Sequence, residues 1–168
     1  MEFIPYRDPR IRYTGRWADT GSAMTTTAPG SRFTLRFSGE MAVLRFDINL
    51  LQAPALHLYI QVDGGARVES TLERYIRISA APGTHTAEVI LKSMVEQFPR
   101  WNPPLVNRLS FEGLETEGLT TLPPQTGKTI EFVGDSITEG VLIDADHQPL
   151  GRDQYDRPFQ DDVTATYA

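Results

Sequence analysis

The chain has 168 residues, a formal net charge of −6 and no cysteine, and 40% of its residues are hydrophobic. That suffices for one generous domain, or a domain and a fragment, and it excludes disulfide-stapled folds, thiolate metal sites and cysteine nucleophiles. Charge is unevenly placed: residues 1–100 carry 12 basic and 10 acidic side chains, residues 101–168 carry 4 and 12, and the lysines are only Lys92 and Lys128, so no basic face suited to nucleic acid is expected.

Most of the first 115 residues alternate apolar and polar side chains, the period of half-buried strands. A strand is expected over Ile11–Tyr13. Arg32–Phe37 is a second, and Ala42, Leu44, Phe46, Ile48 and Leu50 mark a third. Leu56, Leu58, Ile60 and Val62 run into Asp63-Gly64-Gly65 and return at Arg67-Val68-Glu69, the pattern of a hairpin. Ile76 and Ile78 lead to the turn Ala81-Pro82-Gly83. Beyond it His85, Ala87, Val89 and Leu91 share one face of a strand, and Arg108–Phe111 is the last of about eight. With no helical stripe among them, these elements predict an antiparallel β-sandwich or jelly roll over residues 1–118. Residues 119–127, with Pro123-Pro124, read as a linker, and 128–168 as a differently built piece. In that piece Thr129–Val133 reads as a short strand stopped by Gly134, residues 141–158 as a long polar loop, and Asp161 or Asp162 as the cap of a short helix.

A strand ending in Gly134-Asp135-Ser136 would put a hydroxyl on a tight turn at the carboxyl edge of a sheet, where open α/β folds place ligands. A serine in that place becomes a nucleophile when a base, usually a histidine oriented by a carboxylate, takes its proton and donors hold the developing oxyanion. Residues 130–140, Ile-Glu-Phe-Val-Gly-Asp-Ser-Ile-Thr-Glu-Gly, resemble the opening motif of the SGNH (GDSL-type) hydrolases. That resemblance implies a flavodoxin-like α/β/α domain beginning here, Ser136 as nucleophile and oxyanion N–H donor, and Asp135 as support of the turn. The family's Asp-x-x-His block follows its serine by well over a hundred residues, whereas 137–168 is all that follows Ser136 here. The isolated chain is therefore expected to be inactive. Tyr13-Thr14-Gly15-Arg16-Trp17, the stretch Pro29–Gly39 and Gly83–Val89 resemble the jelly-roll domain that precedes the SGNH domain in carbohydrate esterase family 2, which implies deacetylation of sugar hydroxyls.

Asp144-Ala145-Asp146-His147 spells Asp-x-x-His but lies eleven residues after Ser136 in the polar loop, and is read as solvated loop charge. Trp17 and Trp101, the latter in the proline-rich Phe98–Pro104, are candidate sugar platforms, with core or interdomain packing the expected role of each and an exposed or cleft-lining place for Trp101 the alternative. His85 is expected to make a buried hydrogen bond and His57 to be exposed; no metal or cofactor is expected. The expected partner is an acylated carbohydrate or small ester. No membrane partner is expected, since no apolar run approaches the ~20 residues of a spanning helix. Met1–Pro5 shows no secretory leader, so the chain is expected either to be cytoplasmic, the favoured reading, or to have had its leader removed, and homo-oligomer formation is left open. The competing reading is a non-catalytic β-sandwich that binds glycans or a protein partner.

Overall fold

The computed structural model describes residues 1–95, 98–128, 130–143 and 160–166. It is mainly β, with ten strands in one antiparallel sheet: β1 Glu2–Pro5, β2 Arg12–Thr14, β3 Ala18–Asp19, β4 Met24–Thr26, β5 Arg32–Phe46, β6 His57–Val62, β7 Val68–Thr71, β8 Tyr75–Ser79, β9 Thr84–Ser93 and β10 Leu109–Thr120.

The two strands expected over 32–50 are one, β5, of 15 residues. Fully extended, Phe33 and Phe46 would stand roughly 40 Å apart at ~3.3 Å per residue, yet their rings lie 6.5 Å apart. The strand therefore folds over, and the inward positions shift parity across the bend, from Phe33, Leu35 and Phe37 to Ala42, Leu44 and Phe46. Its first half pairs with β2 and β9, its second half with β8, and β10 follows it on both sides of the bend. β10 keeps pace through register shifts between Phe111 and Gly113 and between Thr116 and Gly118, local irregularities of the bulge type that bend a strand. One hydrogen-bonded sheet thus closes into two facing layers. Phe33 stacks on Phe111 at 4.2 Å between centroids, and Leu35, Leu44, Leu58, Leu91 and Leu114 fill the same fully buried core.

The β6–β7 hairpin forms as expected, with Ile60 opposite Val68 and positive φ at Asp63 and Gly64. Trp17 packs edge-on to Tyr13 and Phe33, and its indole N–H donates to the Thr14 carbonyl at 3.0 Å. Other expectations are corrected. β10 continues to Thr120 rather than ending near Phe111, because β1, β4 and β5 offer it ladders along its whole length. Ile48 and Leu50 fall after β5, in a loop. Residues 130–133 belong to no strand, because none of the described residues lies beside them as a ladder partner; Ile130, Phe132 and Val133 point outward at 59–76% exposure. The expected helix is a single 3-10 turn, Val163–Ala165, capped by Asp162, whose Oδ1 accepts the Thr164 N–H at 2.8 Å.

Candidate active site

The turn bearing Ser136 is wound by backbone bonds. Asp135 Oδ1 accepts the Ile137 N–H at 3.0 Å, the arrangement by which an aspartate stabilises a turn. The Glu139 N–H donates to the Asp135 carbonyl at 3.1 Å, and the Val141 N–H to the Ser136 carbonyl at 3.0 Å. Gly134 allows this tightness: a Cβ there would stand 1.9 Å from Thr138 Oγ1. Ser136 is half-buried, and neither its hydroxyl nor its N–H has a hydrogen-bond partner among the described residues. Both are groups that nucleophile and oxyanion-donor roles require to be available.

The segment 160–166 packs under this turn. Asp161 Oδ1 accepts the Leu142 N–H at 2.6 Å, the Asp162 N–H donates to the Gly140 carbonyl at 3.0 Å, and Thr166 Oγ1 donates to the Thr138 carbonyl at 3.2 Å. Gly140 has φ +71°, and a Cβ there would meet the Asp162 carbonyl oxygen at 2.1 Å. Buried or half-buried links tie this unit to the sandwich, among them Arg100 Nη2 to Glu139 Oε2 at 2.8 Å and the Tyr59 hydroxyl to Asp162 Oδ2 at 2.7 Å. Arg16 adds an exposed pair with Glu131 at 2.7 Å.

Neither described histidine is hydrogen-bonded to Ser136. His85 Nδ1 lies 2.7 Å from Asp63 Oδ2 and Nε2 2.8 Å from the Ala81 carbonyl. The Asp63 carboxylate beside it, with that carbonyl, raises the His85 pKa, and the same pair lowers that of Asp63. His57 corrects the sequence expectation. It is buried, because the outer face of β6 is covered by a polar cluster in which Glu69 Oε1 meets His57 Nδ1 at 2.6 Å and Lys92 Nζ at 2.7 Å. Burial pushes the Glu69 carboxyl up, but the His57 and Lys92 hydrogen bonds and the charges outweigh it and hold the group below the usual value. Lys92 is 1% exposed and lies 5.4 Å from the Tyr59 ring. A lysine inside Val89-Ile90-Leu91-Lys92-Ser93-Met94 was the available signal, since a buried ammonium needs a carboxylate. Trp101 is 74% exposed, with the Arg100 guanidinium 5.5 Å from its ring. Asp144 and His147 lie outside the described residues, and among the described residues no three His, Asp or Glu gather as a metal site would require.

No protein-family model and no curated protein sequence matches the chain. Solved structures do. A family two carbohydrate esterase from Cellvibrio japonicus superposes with a TM-score of 0.75 at 18% identity, over 99% of this chain and 47% of that one. The chain has the fold of family 2 carbohydrate esterases over about half their length. The family two carbohydrate esterase from Clostridium thermocellum in complex with cellohexaose gives 0.70 at 20% identity, over 94% of this chain and 46% of its own. The acetyl xylan esterase Est2A of Butyrivibrio proteoclasticus gives 0.67 at 16% identity, over 99% and 44%. The sandwich and the Ser136 turn thus lie together within the stretch shared with these esterases.

Proposed function

We propose that the chain is the nucleophile-bearing part of a serine esterase that removes acyl groups, acetyl foremost, from carbohydrate hydroxyls. Residues 1–118 would be its sandwich, 119–127 a connector and 128–168 the opening of its catalytic domain. The observation that carries the reading is the Ser136 turn: a half-buried serine whose hydroxyl and N–H bond to none of the described residues, on a turn braced by Asp135. In this reading a base takes the Ser136 proton as Oγ bonds to the ester carbonyl carbon, and the Ser136 N–H donates to the oxyanion. Collapse expels the sugar alkoxide, which takes that proton, and water then cleaves the acyl-enzyme to the free acid and restores the hydroxyl. The similarity in fold to an acetyl xylan esterase supports the acyl group and substrate class. Asp135 would keep the turn closed, and the exposed Trp101 ring would stack on a sugar face.

Expressed from its own reading frame, the protein should hydrolyse p-nitrophenyl acetate and release acetate from acetylated xylan. Ser136→Ala should lower kcat by about 10⁴-fold or more. Turnover that persists in that variant sinks the reading. The 168 residues alone should show little turnover, since both described histidines are engaged by carboxylates of the sandwich.

The exposure of Trp101 favours one second reading, a glycan-binding sandwich without catalysis. Under it, xylo- and cello-oligosaccharides shift tryptophan fluorescence, Trp101→Ala abolishes the shift, and no preparation turns over ester.

A further inference from the structure

Residues 130–133 find no ladder partner among the described residues, while the Ser136 turn is tied to the sandwich by side-chain bonds. Arg100 supplies one hold. It is 7% exposed, its Nη2 donates to Glu139 Oε2, and its Nε and Nη1 are buried without a partner. Its backbone is fixed as well, the Arg100 carbonyl accepting the Thr27 hydroxyl at 3.0 Å. Glu139 is thus the carboxylate that offsets a desolvated guanidinium, and a buried pair of this kind is kept only in good geometry. Glu139 stands three residues after Ser136 and donates its own N–H to the Asp135 carbonyl, so its position and that of the nucleophile turn are set together. Tyr59 of β6 supplies a second hold. Its hydroxyl fixes Asp162, the Asp162 N–H bonds to the Gly140 carbonyl, and the next residue, Val141, donates to the Ser136 carbonyl.

We propose that Arg100 and Tyr59 are positioning residues for the esterase reaction, so that the sandwich sets the direction in which the Ser136 hydroxyl approaches the acyl carbon. The proposal rests on the reading of Ser136 as nucleophile. Misplacement of a reacting atom by about 1 Å costs about 10²-fold in rate, so loosening either hold should act on kcat and leave binding of a small ester alone.

The test uses the protein expressed from its own reading frame, with p-nitrophenyl acetate as substrate and a fluorophosphonate to count and rate-label Ser136. Glu139→Gln and Arg100→Met should lower kcat and the labelling rate per folded molecule by about 10- to 100-fold with KM within about twofold. Arg100→Lys, which keeps the charge, should recover part of the loss. Tyr59→Phe removes one hydroxyl without changing shape and should lower kcat severalfold; it decides the matter if the buried-pair variants do not fold. Wild-type kcat and labelling rate in folded Tyr59→Phe and in folded Glu139→Gln overturn the proposal, because a purely structural pair would lower the folded fraction alone. Ser136→Ala separates the two ideas. Turnover surviving in it defeats the nucleophile reading itself, whereas its loss alongside unaffected Glu139 and Tyr59 variants defeats only the positioning role.

Discussion

The sandwich and the Ser136 unit, residues 130–143 with 160–166, are built on opposite principles. In the sandwich, Phe33, Phe37, Phe46 and Phe111 are wholly buried, and order follows from apolar area withdrawn from water. In the Ser136 unit, Ile130, Phe132, Val133 and Ile137 face outward, and order follows from short polar bonds and from side chains lent by the sandwich, among them Arg100, Tyr59 and Arg16. Stability is therefore concentrated in one region and the candidate chemistry in the other, so the second should open at lower free energy than the first.

The sharpest way to break that comparison is to empty the core. Phe33→Ala removes the ring that stacks on Phe111 and touches Phe46 and Trp17. It should cost about 3–5 kcal/mol in urea unfolding, transfer and cavity combined. A loss below 1 kcal/mol would mean that the two layers do not close on one core. Gly140→Ala attacks the other region, where φ of +71° and the Asp162 carbonyl both exclude a Cβ. Local strain of about 1–3 kcal/mol should raise amide hydrogen exchange at Val141 and Leu142, while the unfolding midpoint of the sandwich barely moves. Equal loss of protection across β5 and β9 would show the two regions to be one cooperative unit.

Much of the sandwich is legible in sequence because alternation is a local signal, and β6 to β9 follow it. What alternation cannot tell is a bend from a break. The parity change between Phe37 and Ala42 looks like two strands, and only the continuous ladder with β10 makes them one. β1, β3 and β4 escape it too: β1 lies over a hundred residues from its partner, with Glu2 opposite Thr116, and such pairing leaves no local trace. The Ser136 turn is legible because glycine, aspartate and serine each have a local reason to stand there. Its supports are not, since Arg100 and Glu139 are 39 residues apart and Tyr59 and Asp162 are 103 apart, and no spacing rule joins them.

A smaller effect should come from acid and base. The Asp63 carboxylate raises the His85 pKa, so protonated His85 stabilises the fold fully below the unfolded imidazole value of about 6.5 and the contribution fades as pH rises through the higher folded value. Asp63, held low by the same pair, contributes above the unfolded aspartate value of about 3.9 and fades as pH falls through its folded value. The pair thus supports the hairpin between those limits. Thermal midpoints followed from pH 5 to 9 should decline on the alkaline side, and Asp63→Asn should flatten that limb. Identical curves for the two proteins would remove the pair from the balance.

The smallest expected effect is also the most informative about the boundary between the regions. Val133 is 76% exposed and Ile130 74%, so Val133→Ser and Ile130→Ser delete apolar surface that already faces water. Each should change unfolding free energy by no more than about 0.5 kcal/mol, against several for Phe33→Ala. A cost that instead rivals the core substitution would require these side chains to be covered in solution, by a second copy or by further chain. Dilution would then tell the two apart, since the contribution of a second copy falls with protein concentration and that of the same chain does not.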